Sequence, residues 1–284
     1  MKNLILASVV TKKSYEEFLL LDYTIELFHK NQTIIWYLST DSYVKEKLHN
    51  KEKYKIQNLI ESDDGSHGTN NDLKNSIHMK MMMTKFDACE LALKENNYVI
   101  FLDSDTFFIR SFEDKFLSLL ENKEIDFIVS PHHTENKKLE ADVGHFNGGF
   151  FVAKSKECLE IWKEISVNYK KLNMFYEQQP LEYAIKEFIT LSAPINYNIG
   201  WWRMNENNTR SRYDTLRLEN DKIYFLNRPA IFFHAHTLKD LDYKNYGEDM
   251  LIKIYYLMKI SNNANYKKIM DKISYLKVTK DEVC

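Results

Sequence analysis

The chain has 284 residues, 44% of them aliphatic, aromatic or sulfur-bearing and 28% charged, with a formal net charge of -2. This is the composition of a globular protein with room for a sizeable core, and its near-neutral balance offers no electrostatic footprint for nucleic acid. Cys89, Cys158 and Cys284 are too widely spaced for a disulfide framework or a zinc ligand set and fit a reducing compartment.

Residues 4–10 read as a first buried strand; their apolar run stops at Thr11-Lys12-Lys13 without the cleavage site of a signal peptide. Ser14 is the expected N-cap of a helix reaching Phe28, with Glu16 and Glu17 in its first turn. Residues 33–38 form a second strand ending in Ser39-Thr40-Asp41, and the highly charged residues 45–55 are expected to be helical. Residues 61–75, rich in Ser, Asp, Gly, His and Asn, are a loop or an ordered excursion, and 76–95 a helix. That helix runs into Tyr98-Val-Ile-Phe-Leu-Asp-Ser-Asp-Thr-Phe-Phe, whose unalternating apolar start predicts a strand buried on both faces. The order β-α-β-α-β predicts a parallel sheet with helices on its faces.

Further along, 112–120 is helical, 125–130 a strand, 131–144 polar, and 146–154 a strand with paired glycines at its start. Ser155 caps a helix to about residue 169, and Pro180 fits the first turn of a short helix over 178–188. Residues 223–226 and 230–236 are strand candidates, and amphipathic helix begins at 246. The simplest organisation is one domain over 1–245 with a helical extension, 246–284, packed on it. No stretch approaches the roughly 18 apolar residues of a membrane span. The expected location is therefore cytoplasmic; the Lys- and Tyr-rich extension is a candidate for peripheral contact with an anionic membrane.

The chemistry concentrates at Asp103 and Asp105, where the buried strand runs out and α/β sheets bind ligands. Two carboxylates this close repel unless a cation lies between them, and oxygen ligands suit Mg²⁺ or Mn²⁺, which in turn hold phosphates. The competing reading is a strand-end turn with one capping Asp. His234 and His236, two apart on a predicted strand, point to the same face and either can reach such a site.

Four features in order carry a resemblance: Phe101-Leu-Asp-Ser-Asp, Phe146-Asn-Gly-Gly-Phe-Phe-Val, Glu177-Gln178 and Ile231-Phe-Phe-His-Ala-His. Together, over roughly the first 240 residues, they resemble the nucleotide-sugar-dependent glycosyltransferases of GT-A fold with a DxD motif. More specifically, the pattern is similar to that of the glycogenin-like and galactosyltransferase-like families. The resemblance implies a Rossmann-like α/β domain with a mixed, mostly parallel sheet flanked by helices. It implies transfer of a sugar from a nucleotide diphosphate donor, uridine-linked, to a glycan, glycolipid or other hydroxyl acceptor, with Mn²⁺ or Mg²⁺. Asp105 would be the principal metal ligand, joined by His234 or His236. Asp103 would bind the metal directly, through water, or through the ribose hydroxyls, with Ser104 beside it in the donor site. Asn147-Gly148-Gly149 would lie against the donor sugar, the glycines allowing close backbone approach and the Asn amide bonding hydroxyls. Glu177 and Gln178 would sit near the anomeric carbon, Glu177 as base if the enzyme inverts, Gln178 lining the sugar if it retains; the resemblance favours retention. Ser8, Val10 and Thr11 would hold the nucleoside, Asp41 the base, and Lys80 or Lys85 the diphosphate. Trp201 and Trp202 are candidates to stack on an acceptor sugar and Arg203 to bind a phosphate.

Two other classes share parts of this pattern. A haloacid-dehalogenase-type phosphatase also places Asp-x-Asp at a strand end, but near the N-terminus and followed by Thr or Val where this chain has Phe107. A sugar-nucleotide-binding module without catalysis would need a missing ligand, and none is missing from the metal set.

Overall fold

The computed structural model describes residues 3–59, 77–133, 137–168, 171–172, 174, 177–203, 215–235, 237 and 247–281. The first half is β1 (Asn3–Val10), α1 (Tyr15–Phe28), β2 (Thr33–Thr40), α2 (Ser42–Leu48), β3 (Tyr54–Leu59), α3 (Ile77–Glu95), β4 (Val99–Leu102) and β5 (Thr106–Phe108). There follow α4 (Asp114–Glu121), β6 (Phe127–Pro131), α5 (Lys137–Val143), β7 (Phe146–Ala153), α6 (Lys156–Val167), α7 (Gln178–Ala184), β8 (Thr190–Ser192) and β9 (Ile199–Gly200). The last elements are β10 (Leu216–Glu219), β11 (Lys222–Phe225), β12 (Arg228–Pro229), β13 (Phe232–His234), α8 (Gly247–Ile260) and α9 (Ala264–Asp281).

Unbroken apolar strands follow from cover on both faces. Leu4, Leu6 and Val10 of β1 pack with Phe18, Leu21 and Ile25 of α1, whereas Ile5 and Ala7 pack with Phe86, Cys89 and Ala92 of α3. Each such buried side chain contributes about 1.5–3 kcal/mol relative to exposure. The main sheet has seven strands in the order β3-β2-β1-β4-β7-β6-β8. The first four run parallel, β7 is antiparallel to β4 and β6, and β8 is again parallel to β6. The expected mixed, mostly parallel sheet flanked by helices is what forms.

Two smaller sheets lie beside it. In one, β13 is antiparallel to β5 and parallel to β9; in the other, β10, β11 and β12 form a meander. Phe107 and Phe233 of the first share a core with Ile223 of the meander, Leu20 of α1, Met250 and Ile254 of α8, and Tyr266, Ile269 and Ile273 of α9. No helix of the described residues is long and apolar enough to cross a membrane.

The helix expected over 45–55 is corrected. Asp41 caps α2 by accepting the Val44 N–H at 2.9 Å, the helix stops at Leu48, and 54–59 become an edge strand beside β2. One charge of that run, Lys53, serves the joint to α1: Asp22 accepts from Lys53 Nζ, and from Trp36 Nε1 and Tyr54 OH, at 2.7–2.8 Å. Elsewhere α7 ends four residues before the expected 188, the 230–236 strand shortens to three residues, and α5 forms within the polar stretch. The expected loop at 61–75 lies outside the described residues, as do His236 and the Lys80 side chain.

Candidate functional site

The site begins where β4 stops. The Asp103 N–H donates to the Gly149 carbonyl at 2.8 Å, and the chain then turns, with the Thr106 N–H and Oγ1 both donating to the Asp103 carbonyl. It leaves as β5, so both carboxylates sit on a turn that carries the chain from the main sheet into the β5-β13-β9 sheet. Pairing of β13 with β5 puts His234 opposite Thr106, and the Ala235 N–H donates to the Asp105 carbonyl at 2.9 Å. His234 Nε2 therefore lies 3.1 Å from Asp105 Oδ1 and 3.6 Å from Asp103 Oδ2. One ligand atom from each of the three falls within 4.8 Å of the others.

This cluster fits a divalent ion. Two carboxylates and one imidazole are donors that Mn²⁺ or Mg²⁺ accept. The Asp103 side chain is 34% exposed against 12% for Asp105 and 11% for His234, so the group opens on one side. Gly149 keeps it open: a Cβ there would stand 2.4 Å from Asp103 Oδ2 and 2.4 Å from His234 Cε1. Desolvation raises the Asp103 carboxyl pKa, Asp105 and Glu177 push the same way, and Lys85 and His234 oppose them.

Behind the cluster lies an enclosed ion pair. Lys85 Nζ is 2.7 Å from Glu177 Oε1, each side chain 1% exposed, and Lys85 also donates to the Gly148 carbonyl at 3.2 Å. Burial disfavours the Lys85 charge, but Glu177 and Asp103 outweigh it and leave the ammonium pKa above its ordinary value. Gly148 is again a matter of space, since a Cβ would approach Glu177 Oε1 to 2.7 Å. The Glu177 carbonyl accepts from Trp162 Nε1 at 2.6 Å, fixing the start of α7. Glu177 Oε2 and Gln178 Oε1 are buried without a hydrogen-bond partner among the described residues.

Asp103, Asp105, His234, Gly148, Gly149, Lys85, Glu177 and Asn147 thus meet in space, with Gln178 adjoining, and Ser104 lies within the turn. Ser8, Val10 and Thr11 are buried at the carboxyl end of β1, where Ala7 stands opposite Phe101. Ser8 Oγ has no partner among the described residues, while the Thr11 N–H donates to Ser14 Oγ. Both Asp41 oxygens take backbone N–H groups, one from Val44 and one from Lys12 at 2.6 Å, tying α2 to the loop after β1.

Two of the candidate side chains are held by protein partners. Asn147 turns its Oδ1 inward to the Gly149 N–H at 3.0 Å and to Asn198 Nδ2 at 2.9 Å. Arg203 has no donor left for a phosphate: it bonds the carbonyls of His132, Ile195, Tyr197 and Pro131 and, at 3.4 Å, Ser130 Oγ. Burial lowers its pKa to about 9. Trp202 is 8% exposed and packs edge-on against the His234 ring at 5.1 Å, leaving Trp201, 39% exposed, as the accessible indole. Sequence reasoning missed Asn198, whose Oδ1 faces His234 Nδ1 at 3.0 Å. Its one local signal is being an Asn, one of the few non-glycine residue types that tolerate the positive φ of 50° found there.

Residues 32–251 match the family model described as nucleotide-diphospho-sugar transferase. Two solved structures of LgtC resemble the chain at 14% identity and a TM-score of 0.54. One is an active-site mutant, matched over 92% of this chain and 97% of that one. The other is the galactosyltransferase in complex with donor and acceptor sugar analogues, matched over 94% and 100%. At that identity the likeness is one of fold, the GT-A architecture. No curated protein matches the chain.

Proposed function

The chain belongs to the nucleotide-diphospho-sugar transferase family, and we propose that it moves a sugar from a uridine-diphosphate-linked donor to a hydroxyl of a glycan or glycolipid in a metal-dependent reaction. The observation carrying this reading is the Asp103–Asp105–His234 cluster, kept open by Gly149 at the carboxyl edge of the sheet. These three residues would hold Mn²⁺ or Mg²⁺, which when bound offsets the charge that develops on a leaving diphosphate.

The remaining residues divide by position. Ser8, Val10 and Thr11 at the end of β1, with Asp41 beside them, supply a wall for the nucleoside. Asp103, the more exposed carboxylate, binds the ion directly or through water, or takes the ribose hydroxyls. Lys85 and Glu177 stiffen the backbone at Gly148, behind the place where the donor sugar would lie. A general base must reach the proton it takes. Glu177, 1% exposed and ion-paired with Lys85, is badly placed to meet an acceptor hydroxyl, which favours retention with the donor phosphate as base. Trp201 is the exposed aromatic surface for an acceptor ring.

The test is release of nucleotide from a panel of UDP-, GDP- and TDP-sugars with Mn²⁺, with EDTA, and with Asp105→Ala. The expected result is turnover of one UDP-sugar, lost with EDTA and reduced at least about 100-fold by the substitution. Equal turnover in EDTA, or cleavage of simple phosphate esters instead, would refute it.

A further inference from the structure

A metal-binding imidazole must present a bare nitrogen, and which nitrogen is bare depends on what holds the other. Around His234 the answer is set by a chain of hydrogen bonds whose two ends are backbone groups of fixed polarity. At one end the Gly149 N–H can only donate, so the Asn147 atom 3.0 Å away is the amide oxygen. At the other, the Gly144 carbonyl can only accept, so His132 Nδ1, 2.9 Å away, carries the proton. His132 Nε2 is then an acceptor, and the Asn147 NH₂ faces it at 3.5 Å, which fixes Asn147 the same way round. Burial lowers the His132 pKa to about 4, consistent with a neutral ring.

The orientation propagates. The amide of Asn198, 0% exposed, meets Asn147 Oδ1 and Ser130 Oγ, each at 2.9 Å, and must present its NH₂ to them. Its oxygen is left for His234 Nδ1, 3.0 Å away. Asn198 holds this position at a φ of 50°, a backbone state that over-determined sites tolerate. We propose that Asn198 is a positioning residue that locks His234 as its Nδ1–H tautomer, leaving Nε2 bare towards Asp103 and Asp105 to bind the divalent ion. This inference rests on the metal-site reading above and reassigns Asn147 from sugar contact to anchor of the chain.

The test is ¹⁵N NMR of histidine-labelled full-length protein at about pH 8.5, without metal and saturated with diamagnetic Mg²⁺. Without the ion, Asp105 Oδ1 at 3.1 Å takes a hydrogen bond from a protonated Nε2, so the readout is whether Nδ1 keeps its proton in both states. His234→Gln assigns the resonance, and Mn²⁺ affinity is measured in parallel by calorimetry. The wild type is expected to show His234 protonated at Nδ1. Asn198→Gly, which suits the positive φ, should give a tautomer mixture and about 10–100-fold weaker Mn²⁺ binding. Asn147→Asp retains the acceptor that matters and should keep the Nδ1 proton. A wild-type His234 with Nδ1 unprotonated would overturn the inference with no variant needed, as would an Asn198→Gly protein with unchanged Nδ1 protonation and Mn²⁺ affinity. If the Nδ1–H form is present but Asp105→Ala leaves Mn²⁺ affinity unchanged, the metal-site reading fails while the tautomer assignment stands.

Discussion

Gly149 shows how little space separates a working cluster from a blocked one. A methyl group there would contact Asp103 and His234 at 2.4 Å, below any normal carbon contact, so one of the two must move. Because displacement of a functional group by about 1 Å costs roughly 100-fold in rate, Gly149→Ala is expected to lower metal-dependent turnover by at least that factor. Turnover assays with a melting curve check it; activity within about threefold of wild type contradicts it. At this scale the sequence was legible where function is local. Asp103 and Asp105 lie one residue apart at the end of an apolar strand, and the Gly pair marks close backbone approach. Asn198 and the role of Arg203 were not legible, because their partners lie far away in sequence: 36 residues for Asn198 to His234 and up to 73 for Arg203 to Ser130.

The site is built by two elements that the strand pattern alone does not pair. β5 and β13 bring His234 to the carboxylates, and the register is set where the Ala235 N–H donates to the Asp105 carbonyl. Arg203 fastens the end of β6 to the 195–197 segment that leads into β9, through four carbonyls. Arg203→Met would leave those acceptors buried and unpaired, at roughly 1–3 kcal/mol for each that water does not reach. The expected outcome is a loss of at least about 3 kcal/mol in urea unfolding. Unchanged stability with a raised KM for donor would instead favour a phosphate contact. The misread 45–55 segment has the opposite cause. A charged run has the look of a solvated helix, yet Lys53, just before the edge strand, and Tyr54, its first residue, reach Asp22 of α1, and no local pattern reports that.

Across the molecule, the parallel half of the sheet followed from apolar runs and their spacing, whereas β7 running antiparallel did not, because strand direction is a property of the connection. Buried histidines give the whole fold a pH signature. His29 accepts the Phe112 N–H on Nε2 and donates from Nδ1 to the Ile25 carbonyl, so it must be neutral. Burial lowers both His29 and His132 to about 4, against about 6.5 when unfolded. The unfolded chain therefore binds more protons between those values, and stability falls as pH drops from about 6.5 towards 4. The urea midpoint is expected to be lower at about pH 5.5 than at about 7.5; equal midpoints would contradict neutral burial of these rings. The central claim, that Asp103, Asp105 and His234 hold the ion that meets the donor, is most directly tested by anomalous diffraction from crystals soaked with Mn²⁺ and UDP. The account predicts one manganese peak bonded to Asp105, His234 Nε2 and the diphosphate, whereas UDP bound with no peak at this cluster, or a peak elsewhere, would contradict it.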